Sequence, residues 1–247
     1  MNVLDIVGPV MIGPSSSHTA GAARIGAVAR ALLGSQPVEA QIELHGSFAR
    51  TGRGHGTDKA LVGGLLGFAP DDTRLRDALT LAERQGMAVH ITAVDLPDAH
   101  PNTARLRLRA ADGRTLEVQG CSVGGGSIRI TSLDGMEVRL TGESPTLIVV
   151  HRDAPGAIAA VTEALAGRQL NICGFRLDRQ KRGGTAVMVL ELDGAVDHDV
   201  TEAVRALPTV LHVCSLYNKE RGRKQPCNWI IPPWPRCWPP PKPRASP

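Results

Sequence analysis

Apolar residues recur along this chain at two spacings. From Ala20 to Leu33 they fall three and four apart, as on a helix with one buried face, and Gly34 closes the run. The many small residues in that stretch predict close packing against another element. From Val38 to His45 apolar and polar residues alternate, the pattern of a half-exposed strand. Helical spacing returns over Thr57 to Gly67, with Thr57 or Asp58 as cap. It returns again over Thr73 to Gly86, where Leu75, Leu79 and Ala82 share a face. Val89 to Val94 predicts a strand. Ala104 to Ala110 and Thr115 to Gly120 alternate around Asp112-Gly113, a hairpin signal. Ile128 to Thr131 and Glu137 to Leu140 extend this antiparallel portion. Residues 2–8 predict a short helix ending at Gly8, and residues 15–19 and 46–56 read as loops.

After Gly142-Glu143-Ser144-Pro145 the pattern becomes compact. Strands over Thr146–Val150, Leu170–Asp178, Thr185–Leu192 and Val210–Leu216 alternate with helices over Ala157–Ala166 and Asp197–Leu207. The order is β-α-β-β-α-β, a ferredoxin-like arrangement. The fold class expected is α+β, with one domain over 1–142 and a second over 145–217. Beyond that lies a proline-rich segment, 218–247, whose composition predicts disorder: residues 226–247 hold nine of the 18 prolines and all three tryptophans.

Charge follows the same division. The formal net charge is +4, but residues 218–247 hold seven of the 28 basic residues and one of the 24 acidic ones. The remainder carries a net −2, which argues against a nucleic-acid-binding body. Five cysteines, Cys121, Cys173, Cys214, Cys227 and Cys237, include no C-x-x-C pair. Their spacing points away from a metal site held by this chain alone. With no signal-peptide pattern and no apolar run of membrane-spanning length, the expectation is a reduced, cytoplasmic protein without a membrane partner.

Two stretches carry candidate chemistry: Gly13-Pro14-Ser15-Ser16-Ser17-His18-Thr19 and Thr51-Gly52-Arg53-Gly54-His55-Gly56-Thr57-Asp58. Each sets one histidine among small residues directly before an apolar run. Hydroxyls and free N–H groups at a helix start suit a carboxylate, and a histidine there can exchange a proton near neutral pH. Singly, each stretch reads equally as an ordinary N-cap or a glycine-rich turn. The pair favours a site for a small acidic substrate.

These stretches, with His45-Gly46-Ser47, His100-Pro101-Asn102-Thr103 and Ser122-Val123-Gly124-Gly125-Gly126, resemble motifs found in that order in bacterial iron–sulfur-dependent L-serine dehydratases. The likeness is to the beta subunit of the two-subunit type, over about residues 1–217. The resemblance implies conversion of L-serine to pyruvate and ammonia by way of aminoacrylate. It implies a [4Fe–4S] cluster in place of pyridoxal phosphate, with the cluster cysteines on a partner alpha subunit. His18 and His55 would be the catalytic ionisable pair, with His55 the favoured base. Ser15, Ser16, Ser17, Thr19, Thr57 and Asp58 would surround the substrate, Asp58 serving either to orient His55 or to cap its helix.

The second domain resembles an ACT domain, an amino-acid-sensing module, in which His151, Asp153 and Asn171 would line a site for an amino-acid effector at a domain–domain interface. Residues 70–140 resemble an allosteric substrate-binding segment, with His100, Asn102, Gly124, Gly125 and Gly126 as ligand contacts. Two other functions compete: a stand-alone amino-acid sensor, for which two poised histidines have no use, and a phosphate-binding enzyme, for which no P-loop lysine is present.

Overall fold

The computed structural model describes residues 11–141 and 144–216. The expected helix over 2–8 and the segment 218–247 lie outside these residues, as do Gly142 and Glu143. A π-helical turn, Ser16–Gly21, runs directly into α1 (Ala22–Leu33), which stops at Gly34 in the left-handed conformation. Strand β1 (Pro37–His45) leads into α2 (Gly46–His55) and α3 (Thr57–Leu65). A 3₁₀ turn (Thr73–Asp77), α4 (Ala78–Arg84) and β2 (Ala88–Val94) follow. Strands β3 (Thr103–Ala110), β4 (Thr115–Gly124), β5 (Ser127–Leu133) and β6 (Met136–Leu140) complete a six-stranded sheet. Its order is β2-β1-β3-β4-β5-β6, antiparallel except for the β1/β2 pair.

Two expected loops are helical. Of residues 46–56, Gly46–His55 form α2, because Ser47 and Phe48 donate their backbone N–H groups to the Pro101 carbonyl and Phe48 is fully buried. Residues 15–19 enter the π turn, with Ser15 as its cap. Neither Thr57 nor Asp58 caps α3. Gly56, left-handed at φ 71°, stands at that position, and Asp58 Oδ1 accepts from the Lys59 N–H.

Helices α1 and α3 cross at backbone contact. A Cβ on Gly26 would strike the Leu61 carbonyl, and one on Gly64 would strike that of Ala23. The small residues of α1 thus serve the packing their composition implied. Helix α1 lies on the inner face of the sheet, where Ala40, Ile42, Leu44, Leu106 and Leu108 are buried, and α3 packs on α1. The outer face carries an ion-pair ladder: Arg109 with Glu39, Arg105 and Arg107 with Glu43, and Arg107 with Glu117. Such half-exposed pairs add little stability each.

The C-terminal unit comprises β7 (Thr146–Arg152), α5 (Ala157–Ala166), β8 (Ile172–Arg179), β9 (Thr185–Leu192), α6 (His198–Arg205) and β10 (Val210–Leu216). Its sheet order is β10-β7-β9-β8, all antiparallel. One face packs on α5 and α6 through Leu147, Val149, Val161, Leu165, Met188 and Val213. The other contributes Ile148, Val187, Val189 and Leu216 to the core of the first unit.

Candidate active site

His18 sits in the π turn with its ring almost wholly enclosed, 8% exposed. Single π turns recur at functional positions because the extra residue re-aims a side chain. Ser15 Oγ lies 3.2 Å from His18 Nδ1 and accepts the His18 backbone N–H at 3.3 Å. Across the ring, Nε2 meets Thr51 Oγ1 at 3.0 Å and Ser47 Oγ at 3.3 Å. Phe48 packs edge-on against the imidazole, with centroids 5.2 Å apart. The His55 ring is its neighbour, 4.9 Å away and tilted by 49°. Burial lowers the His18 pKa from its ordinary value, and the nearby His55 lowers it further. His18 therefore rests neutral, able to hold or pass a proton.

Chain geometry brings the two histidine stretches together. His55 closes α2, and Ser47, Thr51 and His55 lie four residues apart on one helical stripe. Four buried polar atoms on these and adjoining elements have no hydrogen-bond partner: Thr19 Oγ1 beside His18 in sequence, Thr57 Oγ1 at the start of α3, Ser122 Oγ against Gly21, and His55 Nδ1 itself. Unsatisfied polar groups are costly to bury, so each of these atoms has bonding capacity left for a polar ligand. Ser16 and Ser17 are partly exposed in the π turn. Asp58 Oδ1 accepts from the Lys59 N–H at 2.8 Å rather than orienting His55.

The motifs of the middle segment reach the same region. Pro101 holds the start of α2, Asn102 O accepts from the Ser122 N–H, and Asn102 N–H donates to His100 Nδ1. Ser122 abuts Gly21 so closely that a Cβ there would collide with its hydroxyl. Gly124, Gly125 and Gly126 all have positive φ, which explains the glycines. The Arg24 guanidinium of α1 donates to Gly126 O at 2.8 Å. His100, Asn102 and the glycine turn thus brace the elements that carry His18. Ser47 and Thr51 lie within the motifs read from the sequence but were given no role there, and Phe48 lies outside them. The signal for Ser47 and Thr51 was the four-residue spacing 47-51-55, hidden by reading the stretch as loop.

In the C-terminal unit the candidate residues separate. His151 is buried at the end of β7, its Nδ1 2.7 Å from the Arg152 carbonyl and its Nε2 without a partner. Asp153 accepts from the Gly183 N–H and from Arg179, which together hold its carboxyl below the usual carboxylate range. Asn171 lies at the other end of the sheet, bonded to Asp193. Register places His151 beside Ala186 and Thr146 beside Glu191, so roughly 20 Å of strand separates the two ends.

Among the described residues the cysteines do not fit an iron–sulfur cluster. Cys121, Cys173 and Cys214 occupy strands β4, β8 and β10, and no group of three metal-ligating side chains occurs among the described residues. Burial raises the Cys121 pKa and pushes the Cys214 thiol up to about 12, disfavouring the thiolate that a metal needs. No helix among the described residues is long and apolar enough to cross a membrane.

An α+β chain with a paired-histidine site and a βαββαβ unit is thus defined by geometry, and comparison with known proteins places it. Residues 2–95 match the family model described as serine dehydratase beta chain, and residues 145–209 match the ACT domain. The chain is 44% identical over 215 residues to a probable L-serine dehydratase, beta chain, of Bacillus subtilis (strain 168), covering 87% of this chain and 97% of that one. It is 35% identical over 204 residues to the L-serine dehydratase, beta chain, of Peptoniphilus asaccharolyticus, covering 82% and 92%. A D-3-phosphoglycerate dehydrogenase of Methanocaldococcus jannaschii is 28% identical over 137 residues, 56% of this chain and 23% of that one. The chain belongs to the serine dehydratase beta chain family.

Proposed function

We propose that this chain is the beta subunit of an iron–sulfur-dependent L-serine ammonia-lyase of the cytoplasm, paired with an alpha subunit that holds the [4Fe–4S] cluster. In this reading residues 1–142 form the catalytic part and residues 145–217 the regulatory ACT domain. The observation that carries the reading is the pairing of His18 and His55, 4.9 Å apart, in a chain of this family. Loss of the serine α proton needs a base within hydrogen-bond reach. His55 is assigned that role, because its buried Nδ1 has no partner, whereas both ring nitrogens of His18 face hydroxyls. His18 polarises and orients. Ser16, Ser17 and Thr19 supply hydroxyls, and the π turn N–H groups, for the substrate carboxylate, while Ser15 caps the turn and faces His18; Thr57 and Asp58 begin the helix beside it. The cluster supplies a Lewis acid when bound on the partner, and none of the described residues is assigned to it.

The opposite placement of His151 and Asp153 from Asn171 supports an effector site assembled between two ACT domains. His100, Asn102 and Gly124 to Gly126 are assigned to shaping the active-site wall, a position from which a ligand there would act directly on His18.

The test is anaerobic co-expression with the alpha subunit and an assay of pyruvate from L-serine. Activity is expected only from the pair. His18→Ala and His55→Ala should each cost about 10²–10⁴-fold in kcat with folding and pairing intact. Normal turnover in both variants overturns the assignment, and amino-acid binding by an inactive chain would favour the stand-alone sensor.

A further inference from the structure

Thr51 Oγ1 lies 2.9 Å from the Ser47 carbonyl oxygen and 3.0 Å from His18 Nε2. A hydroxyl has one proton to give and two lone pairs with which to accept. A helical threonine whose oxygen lies over the carbonyl four residues back gives its proton to that carbonyl. Thr51 then meets His18 only as an acceptor, and the proton between them belongs to Nε2. On the far side of the ring, Ser15 Oγ accepts the His18 backbone N–H. Its own proton remains to be donated, and the Nδ1 lone pair stands 3.2 Å away. Ser47 Oγ, 3.3 Å from Nε2 and 3.5 Å from Thr51 Oγ1, can give its own proton to Thr51 and accept from Nε2 in the same arrangement. Both sides of the ring therefore select the same tautomer. The enclosing Phe48 ring leaves little room for the imidazole to turn over.

We propose that Thr51 is a positioning residue that holds His18 as the neutral Nε2–H tautomer, so that a substrate meets one histidine fixed and the other, His55, with an unoccupied Nδ1. The effect on turnover rests on the active-site reading of His18; the tautomer itself does not.

The experiment is long-range ¹H–¹⁵N correlation of the histidine rings in the full-length chain, with His18 assigned by its loss in His18→Ala. Wild-type His18 should carry its proton on Nε2. Thr51→Val, which keeps the shape and removes the acceptor, should move the His18 pattern towards a mixture of tautomers. Thr51→Ser should bring it back. In the reconstituted pair, Thr51→Val should lower kcat about 10–100-fold, the effect expected of a partner that orients an active-site histidine. KM should be little changed, and Thr51→Ser should recover most of the loss. A wild-type His18 protonated on Nδ1, or a Thr51→Val spectrum identical to wild type, overturns the proposal. A Thr51-dependent tautomer together with full turnover in His18→Ala would retain the positioning and remove the catalytic reading.

Discussion

His18 shows how a few small side chains decide the state of one ring. Hydroxyls on two elements contact its nitrogens, Phe48 closes its edge, and burial with the neighbouring His55 depresses its pKa. A histidine with a lowered folded-state pKa stays neutral as the pH falls, until the folded value is reached. In the unfolded chain it gains its proton near 6.5. The stability this ring contributes is therefore complete above pH 6.5 and is lost as pH falls from there through the folded value. Removing one like-charged neighbour should raise that value. His55→Ala is expected to move the His18 titration upward, towards the ordinary value, when followed by NMR of the ring. A titration that stays in place would assign the depression to burial alone.

At the scale of elements, the contact of α1 with α3 is the joint on which the site hangs. Gly64 lies against the Ala23 carbonyl with no space for a methyl group. Overpacking of this kind costs about 1–3 kcal/mol. Gly64→Ala should show that loss in urea unfolding, and should lower turnover further by displacing the π turn at the head of α1. Retained stability would mean that the helices can part cheaply. This crossing was legible in the sequence as a run of alanine and glycine. The second unit was legible almost residue by residue, because its strands and helices alternate cleanly and Gly156 and Asp197 mark two helix starts. Helix α2 was not legible. Its stretch holds Gly46, Gly52 and Gly54, and Gly56 follows, a composition that local propensity assigns to a loop. What makes it helical is tertiary: the Pro101 carbonyl receives its first N–H groups, and Phe48 is sealed in the core. With α2 unseen, Ser47 and Thr51 could not be placed on the stripe that faces His18. The π turn escaped for the same reason, since the serines that begin it suit a cap equally well.

Across the whole molecule, α1 links the two units. Its first turn follows His18, while Leu32 and Leu33 at its other end border the cavity that also touches His212 of β10 and Val150 of β7. The Arg114 side chain donates to the Leu33 carbonyl at that seam. Apolar residues of the second sheet belong to the core of the first, so the two units share one buried layer. A change at β7 or β10 therefore has a short, packed route to the histidine pair. The separation of His151 and Asp153 from Asn171 carries a consequence of a different kind. If one effector molecule contacts all three, they come from two chains, and the response is governed by mass action between those chains. Dilution should then erase inhibition or activation by the effector while turnover per alpha–beta pair stays constant. Rate measurements over a wide range of enzyme concentration would show it. An effector response unchanged by dilution below the point of chain dissociation would place the site within one copy. Expression level would then set not only how much enzyme a cell holds but whether that enzyme can be regulated at all.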